Sequence, residues 1–397
     1  MDFLGKRLVH TPEGVRDIYG TEFINKMNIQ NLFHEKLHSY GYQDIQTPTF
    51  EFFDVFSKEI GTTPSKELYK FFDKEGNTLV LRPDFTPSIA RCAAKYYLDT
   101  DVPVRFCYKG NAFTNTSNLQ GKLKEVTERG AELIGDNSIA ADAEMIAMCI
   151  KALLHAGLVN FQVSIGEVEY IKGLCTQAGL DEETEMELRD LISIKNFFGA
   201  QDLLERSGVN ENCREALLHV SDLFGQSEIL AEAKKYAYNA VSMEAIERLE
   251  RLYDVLCAYG VEKYVSFDLG MVSKYNYYTG IIFKAYTYGV GDAIVKGGRY
   301  DRLLEKFGKE APAIGFMIVI DSLMTALKAS GKTEKEASVY TVLLYRQEEL
   351  KAAIEKANAL RADGNCVSMI PYRQEQKDEI LAFLRDSHQK PYVLGEE

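Results

Sequence analysis

Two blocks of strand-like segments, separated by a long helical stretch, constrain the fold of this 397-residue chain most strongly. Residues 103–108 and 161–166 have strand-like apolar patterns, whereas residues 170–258 have helical periodicity. Strands are predicted again between residues 264 and 320. Strands that resume after such an insertion indicate one antiparallel sheet built from distant parts of the chain. The sequence therefore predicts an α+β fold with helices flanking this sheet.

A second, smaller domain is predicted at the C-terminus. The polar stretch 330–337 has the composition of a linker. After it, strands and helices alternate in the βαβαβ order of a small, largely parallel α/β domain. We therefore place a core domain at 1–329, with the helical insertion at about 170–258, and an α/β domain at 338–397.

Charge and cysteine content narrow the functional classes. The chain has 59 acidic and 46 basic residues, a balance that disfavours gripping a polyanion such as tRNA. The cysteines form no CxxC pair and the histidines suggest no metal-ligand spacing, so neither a disulfide framework nor a metal site is expected. The first twenty residues lack a signal-peptide apolar segment, and no long apolar run follows. We expect a cytoplasmic protein without a membrane partner.

Two short motifs carry side chains suited to binding. In LRPDFTPSIAR (81–91), Asp84 and Thr86 stand two residues apart, so on an extended segment both point to one side and could receive an ammonium group. In NYYTGIIF (276–283), Tyr277 and Tyr278 bring phenol hydroxyls and stacking faces. A strand end with a turn explains the first motif equally simply, and core aromatics explain the second.

The segment GNAFTNTSNLQGKLKEVTERGAELIG (110–135) predicts two strands joined by a loop. On the returning strand, Glu128 and Glu132 lie four residues apart and therefore face the same way. Two carboxylates at this spacing form either a solvated strand face or, beside a pocket, a site for a ligand that is cationic or rich in N–H donors.

Taken in order, these segments resemble the catalytic core of histidyl-tRNA synthetase, a class II aminoacyl-tRNA synthetase. The resemblance covers roughly residues 10–328 and includes TPEGVRDIYG, LRPDFTP, the motif 2 hairpin, NYYTGIIF with GGRYD, and the motif 3 strand and helix AIGFMIVIDSLMTAL. The C-terminal segment is similar to that family's anticodon-binding domain, but shorter. The resemblance implies a class II synthetase-like sheet.

The resemblance also implies that the ATP-binding residues of the synthetase are lost. The motif 2 arginine and glutamate fall on Thr114 and Thr116. The motif 3 glutamate and arginine fall on Asp321 and Ser322, and the family's histidine-specific arginine falls on Ser273. Removing one positioned charge-stabilising donor costs about 10²–10³ in rate, so adenylation is expected to be negligible.

The amino-acid side of the pocket is better kept. The synthetase residues that hold the ammonium group of histidine fall on Asp84, Thr86 and Glu128, where glutamate replaces a glutamine. Those that hold its imidazole fall on Glu132 and Tyr277, with Tyr278 beside them. The resemblance therefore implies a histidine-shaped site.

A synthetase fold that keeps this pocket resembles the regulatory subunits of ATP phosphoribosyltransferase, in the first step of histidine biosynthesis. That family implies a non-catalytic chain without a cofactor, a short-form catalytic partner in a hetero-octamer, and L-histidine as effector. Two alternatives stay open: an active or residual amino-acid adenylating enzyme, and a stand-alone amino-acid or RNA-binding module.

Overall fold

The structure is a computed structural model that describes residues 9–57, 63–100, 102–116, 122–271, 277–332, 340–386 and 389–396. The described residues divide into two compact units. The first contains residues up to Asp17 and Lys26–Lys332, and the second contains Ile18–Asn25 and the residues after Lys332. Most of the linker predicted at 330–337 lies outside the described residues.

The α-helices of the described chain are α1 Gly20–Ser39, α2 Thr86–Tyr96, α3 Ile139–Ala156, α4 Val168–Gln177, α5 Glu182–Ser193, α6 Phe197–Arg206, α7 Glu211–His219, α8 Glu228–Ala233, α9 Ala240–Ala258, α10 Ile320–Ala329, α11 Leu350–Ala362 and α12 Lys377–Asp386. Short 3-10 helices cover Phe53–Phe56, Ser65–Glu67, Val220–Asp222, Glu262–Tyr264, Leu304–Phe307, Gln347–Glu349 and Gln374–Gln376. The strands are β1 Gln43–Asp44, β2 Phe50–Phe52, β3 Lys70–Phe72, β4 Thr78–Leu81, β5 Val104–Phe113, β6 Glu125–Ile134, β7 Phe161–Glu167, β8 Phe224–Gly225, β9 Val265–Asp268, β10 Ile281–Thr287, β11 Val295–Arg299, β12 Ala313–Val319, β13 Thr341–Tyr345, β14 Val367–Pro371 and β15 Lys390–Val393.

The first unit is built on a nine-stranded sheet in the order β1-β5-β6-β12-β11-β10-β7-β9-β8. Neighbouring strands from β5 to β7 in this order are antiparallel, whereas β1 with β5 and β7 with β9 are parallel. A separate three-stranded sheet has the order β2-β4-β3. The prediction of one sheet assembled from both strand blocks is confirmed, with parallel pairs toward its edges.

The helical insertion predicted at 170–258 is confirmed. Helices α4 to α9 lie between β7 and β9, and the short strand β8 joins the sheet edge beside β9. Helix α9 packs against α3 and α4, and its apolar residues Ile246 and Leu249 are fully buried in the same core as Phe283 of the sheet. The insertion therefore completes one hydrophobic core with the sheet.

Local sequence signals set several element boundaries. Pro48 separates the short strands β1 and β2. Helix α3 begins at Ile139, because the Ser138 hydroxyl accepts the Ala141 N–H at 3.1 Å. It ends before Gly157, which has a left-handed φ of 92°.

The second unit contains a parallel sheet in the order β14-β13-β15, as the βαβαβ pattern predicts. Alternate residues of β13 enter different clusters, because successive side chains of a strand point to opposite faces. Leu344 packs with Leu384 of α12, whereas Leu343 packs with Ala353 of α11. Among the helices described in either unit, we find none long and apolar enough to cross a membrane.

Candidate functional site

One recess in the first unit brings together all six side chains proposed from the sequence for amino-acid binding. Its empty volume, which includes solvent space at the opening, is about 390 Å³. The lining residues are Pro83, Asp84, Thr86, Glu128, Glu132, Tyr277, Tyr278, Lys296, Gly298, Tyr300, Gly315, Phe316 and Met317. We call this recess the carboxylate pocket, because three of its acidic side chains are buried.

Strand β6 and the start of α2 position the polar groups of the carboxylate pocket. Glu128 and Glu132 both line it from β6, as their shared strand face predicts. Asp84 and Thr86 lie at the turn into α2 instead of on an extended segment, because Thr86 is the first residue of that helix. The Asp84 Oδ1 accepts the Thr86 N–H at 3.1 Å, and this bond keeps the two side chains adjacent.

Glu132 is the most fully bonded acid of the carboxylate pocket. Its Oε1 accepts the Thr86 hydroxyl at 2.8 Å, and its Oε2 accepts the Tyr300 hydroxyl. On the neighbouring strand, Gly315 stands opposite Glu132, and a Cβ there would overlap the Glu132 carboxylate. Glycine is therefore required for the close approach of this acid to β12.

Glu128 is buried, and one of its carboxylate oxygens lacks a hydrogen-bond partner among the described residues. Only 3% of the residue is exposed, and its Oε2 has no hydrogen-bond partner among the described residues. A buried oxygen without a partner is costly, so it favours either a proton on the carboxyl group or a ligand that donates to it.

Burial raises the pKa values of the acidic side chains in the carboxylate pocket. It raises the pKa of Glu128 to about 8, assisted by the negative charge of Asp84 and opposed by Lys296 and Arg82. It also raises the pKa of Glu132 to about 8, although bonds from Tyr300 and Thr86 oppose the shift. Burial also raises the pKa of Asp84, so the charged form of each of the three acids is disfavoured in the pocket.

Aromatic rings close the sides of the carboxylate pocket. The Tyr277 and Tyr278 ring centroids lie 4.7 Å apart, and Tyr277 meets Tyr300 edge to face at 5.9 Å. The Tyr277 hydroxyl donates to Asp84 Oδ2 at 3.4 Å. A Cβ at Gly298 would lie 2.7 Å from the Tyr278 ring, so this glycine gives the ring its space. Both tyrosines line the pocket beside Asp84.

Two pocket residues were missed from the sequence. Tyr300 belongs to GGRYD, but its alignment with Glu132 depends on the pairing of β11 with β12. Lys296 lines the pocket from β11, and its amino group lies 3.2 Å from Asp292. The sequence signal was a single cation immediately before the paired glycines Gly297 and Gly298, and it was not distinctive.

Among the described positions expected to have lost ATP chemistry, Thr114, Thr116 and Ser322 are not lining residues of the pocket. Thr114 and Thr116 follow β5, where the Thr114 N–H donates to Lys124 O at 2.9 Å. Ser322 is half-buried in α10. Ser273 lies outside the described residues.

Asp321 has a structural contact in place of a nucleotide contact. Its Oδ1 accepts the Lys26 ammonium at 2.8 Å, and its Oδ2 accepts the Thr127 N–H at 2.7 Å. Both charged side chains are less than 10% exposed. This bonding ties α10 to α1 and β6, so Asp321 stabilises the fold here.

The expectation that no histidines have metal-ligand spacing is wrong. His34 and His38 are four residues apart on α1, and their ring nitrogens lie close to Asp44 of β1. The ligand atoms of these three residues lie within 4.8 Å of one another. The signal was the sequence HEKLH at 34–38, which has the HExxH form of many zinc sites.

Comparisons with known proteins agree with this architecture. Residues 14–323 match the family model for histidyl-tRNA synthetase. A histidyl-tRNA synthetase from Nostoc sp. superposes with a TM-score of 0.77 over 96% of this chain and 90% of its own, at 18% identity, which supports the fold alone. The fold and the match to this family model define a class II, histidyl-tRNA synthetase-like protein.

Relatives with higher identity specify the family further. An ATP phosphoribosyltransferase regulatory subunit of Acetivibrio thermocellus is 43% identical over 91% of this chain and 86% of its own length. One from Caldanaerobacter subterraneus is 38% identical over 95% of this chain and 98% of its own length. The chain belongs to the family of ATP phosphoribosyltransferase regulatory subunits.

A solved structure carries both descriptions. The protein from Bacillus halodurans, titled an ATP phosphoribosyltransferase regulatory subunit/histidyl-tRNA synthetase, superposes with a TM-score of 0.87 at 33% identity. The superposition covers 97% of this chain and 98% of the other.

Proposed function

We propose that this chain binds L-histidine in the carboxylate pocket and regulates a separate, short-form catalytic subunit of ATP phosphoribosyltransferase, with which it forms a hetero-octamer. The chain supplies regulation and no catalytic group of its own. The observation that carries this proposal is the convergence of six amino-acid-binding candidates in one recess, while Thr114, Thr116 and Ser322 offer no cation for ATP.

Histidine matches the chemistry of the carboxylate pocket. Its ammonium group is a triple donor that Asp84, Thr86 and the unpartnered oxygen of Glu128 can accept. Its imidazole fits between Glu132 and Tyr277, where a carboxylate can accept a ring N–H. Each end of the ligand thus finds a complementary group without exposing a buried charge.

The ligand carboxylate needs a cation. Lys296 is the described cation that lines the pocket, and its charge already acts on Glu128. We assign it the role of carboxylate partner, where it would exchange its 3.2 Å contact with Asp292 for the ligand. A lysine can serve here because a single amino-acid carboxylate does not require the planar fork of arginine.

Regulation requires that histidine bind the active and inhibited assemblies with different affinities. Strand β6 connects the pocket to the rest of the core most directly, because it carries two pocket acids and lies within the nine-stranded sheet. A ligand that draws Glu128 and Glu132 together changes the position of that strand. We assign no cofactor and no tRNA to this chain.

The direct test adds the full chain to the isolated short-form catalytic subunit and measures phosphoribosyl transfer with and without histidine. We expect the chain to raise activity and histidine to change it. Asp84→Ala and Glu132→Ala should retain activation but lose the histidine response and its calorimetric binding signal. Glu187→Ala, at an exposed position of α5, is the matched control and should behave as the wild type.

An adenylating enzyme is the alternative, and ATP–pyrophosphate exchange with histidine separates the two. Exchange well above the protein-free background would reject the regulatory proposal. A chain that never associates with the catalytic subunit during co-purification would reject it as well, in favour of a stand-alone binding module.

A further inference from the structure

A second polar cluster lies outside the carboxylate pocket, where α1 ends and β1 begins. The Nε2 atom of His34 lies 2.8 Å from Asp44 Oδ2, and the Nε2 atom of His38 lies 2.9 Å from the same oxygen. The centroids of the two imidazole rings are 4.0 Å apart. Both imidazole nitrogens thus contact the same carboxylate oxygen, and the ligand atoms of the three residues lie within 4.8 Å of one another.

The backbone fixes this convergence. Residues four apart lie on one helix face, so α1 presents both rings in the same direction. Asp44 is held by the parallel pairing of β1 with β5, in which it stands opposite Cys107. The Cys107 thiol also contacts Asp44 Oδ1 at 3.6 Å. Since Cys107 is fully buried, this contact provides a fixed second shell behind the carboxylate.

The spacing suits a tetrahedral metal ion. Ligand bonds of about 2.0–2.2 Å place neighbouring ligand atoms about 3.3–3.5 Å apart in a tetrahedron. The present nitrogen–oxygen separations are only slightly shorter, so small rotations of the two rings and the carboxylate would admit an ion. The side chains are 36%, 44% and 57% exposed for His34, His38 and Asp44, so an ion can enter from solvent.

We infer that His34, His38 and Asp44 form a binding site for a divalent zinc ion, with the fourth position filled by water. Imidazole with a single carboxylate favours zinc over magnesium or calcium, which prefer sites made of oxygen ligands. The ion would join the end of α1 to β1 at the edge of the nine-stranded sheet.

The inference concerns metal binding and not peptide hydrolysis. In HExxH peptidases the glutamate acts as general base beside the ion. Here the Oε2 atom of Glu35 lies 3.9 Å from His155 Nε2, and the Glu35 side chain is 69% exposed. The sequence therefore has the spacing of a zinc peptidase without the placement of its base.

The test uses the untagged full chain, stripped of metal and titrated with zinc chloride by calorimetry in a non-chelating buffer. We expect one zinc ion per chain, and at least about tenfold weaker binding in His34→Ala, His38→Ala and Asp44→Asn. The control is His219→Ala, because His219 also has a carboxylate neighbour, Asp222 at 3.4 Å, but belongs to no described ligand cluster. Its affinity should be unchanged.

Cobalt absorption gives a second readout in the same proteins, since a tetrahedral site produces intense visible bands that the three variants should lack. Far-ultraviolet circular dichroism verifies that each variant is folded. The inference is overturned if the wild type binds no zinc, or if all three ligand variants bind as tightly as the control.

Discussion

Under the proposed function, Glu128 should make the affinity for histidine depend on pH, and one substitution isolates its contribution. Its pKa is raised to about 8 by burial, so the carboxyl group is roughly nine-tenths protonated at pH 7. A ligand ammonium group within about 4–6 Å lowers such a pKa by about 1–3 units. Histidine binding should therefore release protons from the pocket.

The magnitude follows from these two values. With a free pKa of about 8 and a bound pKa about 2 units lower, the wild type should gain roughly twentyfold in affinity between pH 6 and pH 8. Glu128→Gln keeps the shape of the side chain but cannot titrate. The titration of the histidine ligand itself affects the wild type and Glu128→Gln equally. The ratio of the wild-type affinity to the variant affinity should therefore rise roughly twentyfold between pH 6 and pH 8.

Calorimetric titrations at pH 6, 7 and 8 provide the assay. Repeating the pH 7 titration in phosphate and Tris, whose ionisation enthalpies differ, counts the released protons. The wild type should release about 0.8 proton more than Glu128→Gln at pH 7. An affinity ratio that is constant across the pH range, or a variant that releases as many protons as the wild type, would refute the reasoning.

The pH dependence of the free energy of unfolding provides a second, independent test of the raised pKa of Glu128. Because the folded pKa of Glu128 lies above its ordinary value of 4.5, the stability it contributes is complete below that value and is lost as pH rises through about 8. Without ligand, Glu128→Gln should therefore gain roughly 2 kcal/mol in free energy of unfolding, relative to the wild type, between pH 6 and pH 8. Urea denaturation at the two pH values measures this difference.

Two further substitutions, each with a control variant, test the space beside Glu132 and the buried ion pairs of Asp142. Gly315→Ala should weaken histidine binding at least about tenfold in calorimetry, because its Cβ would displace the Glu132 carboxylate, whereas Gly291→Ala enters open space and should bind normally. Asp142→Ala should cost about 3–5 kcal/mol in urea denaturation, because it leaves two arginines without their buried partner. Asp202→Ala, which breaks an exposed ion pair, should cost no more than about 1 kcal/mol.

The pocket shows how far sequence reasoning reaches. Glu128 and Glu132 could be placed on one strand face because side chains alternate along a strand, and both line the pocket. Tyr300 could not be placed, because its contact with Glu132 of β6 depends on the registers of β11 with β12 and of β12 with β6. Local periodicity determines the face of a residue, but register determines its neighbour across the sheet.

The cluster of His34, His38 and Asp44 was only partly predictable from the sequence. The spacing of His34 and His38 was visible in the sequence, and it was overlooked. Asp44 could not be assigned by spacing, because the position of β1 is set by its parallel pairing with β5.

The sequence by itself determined the order of strands and helices, the helical insertion, the α/β pattern at the C-terminus and the six candidate residues of the pocket. Those features depend on local periodicity and on ordered motifs along the chain. Only the tertiary structure decided the strand order, the partners of each buried acid, the structural role of Asp321 and the position of Lys296. These depend on which distant segments meet, and burial at those contacts sets the charge state of the pocket.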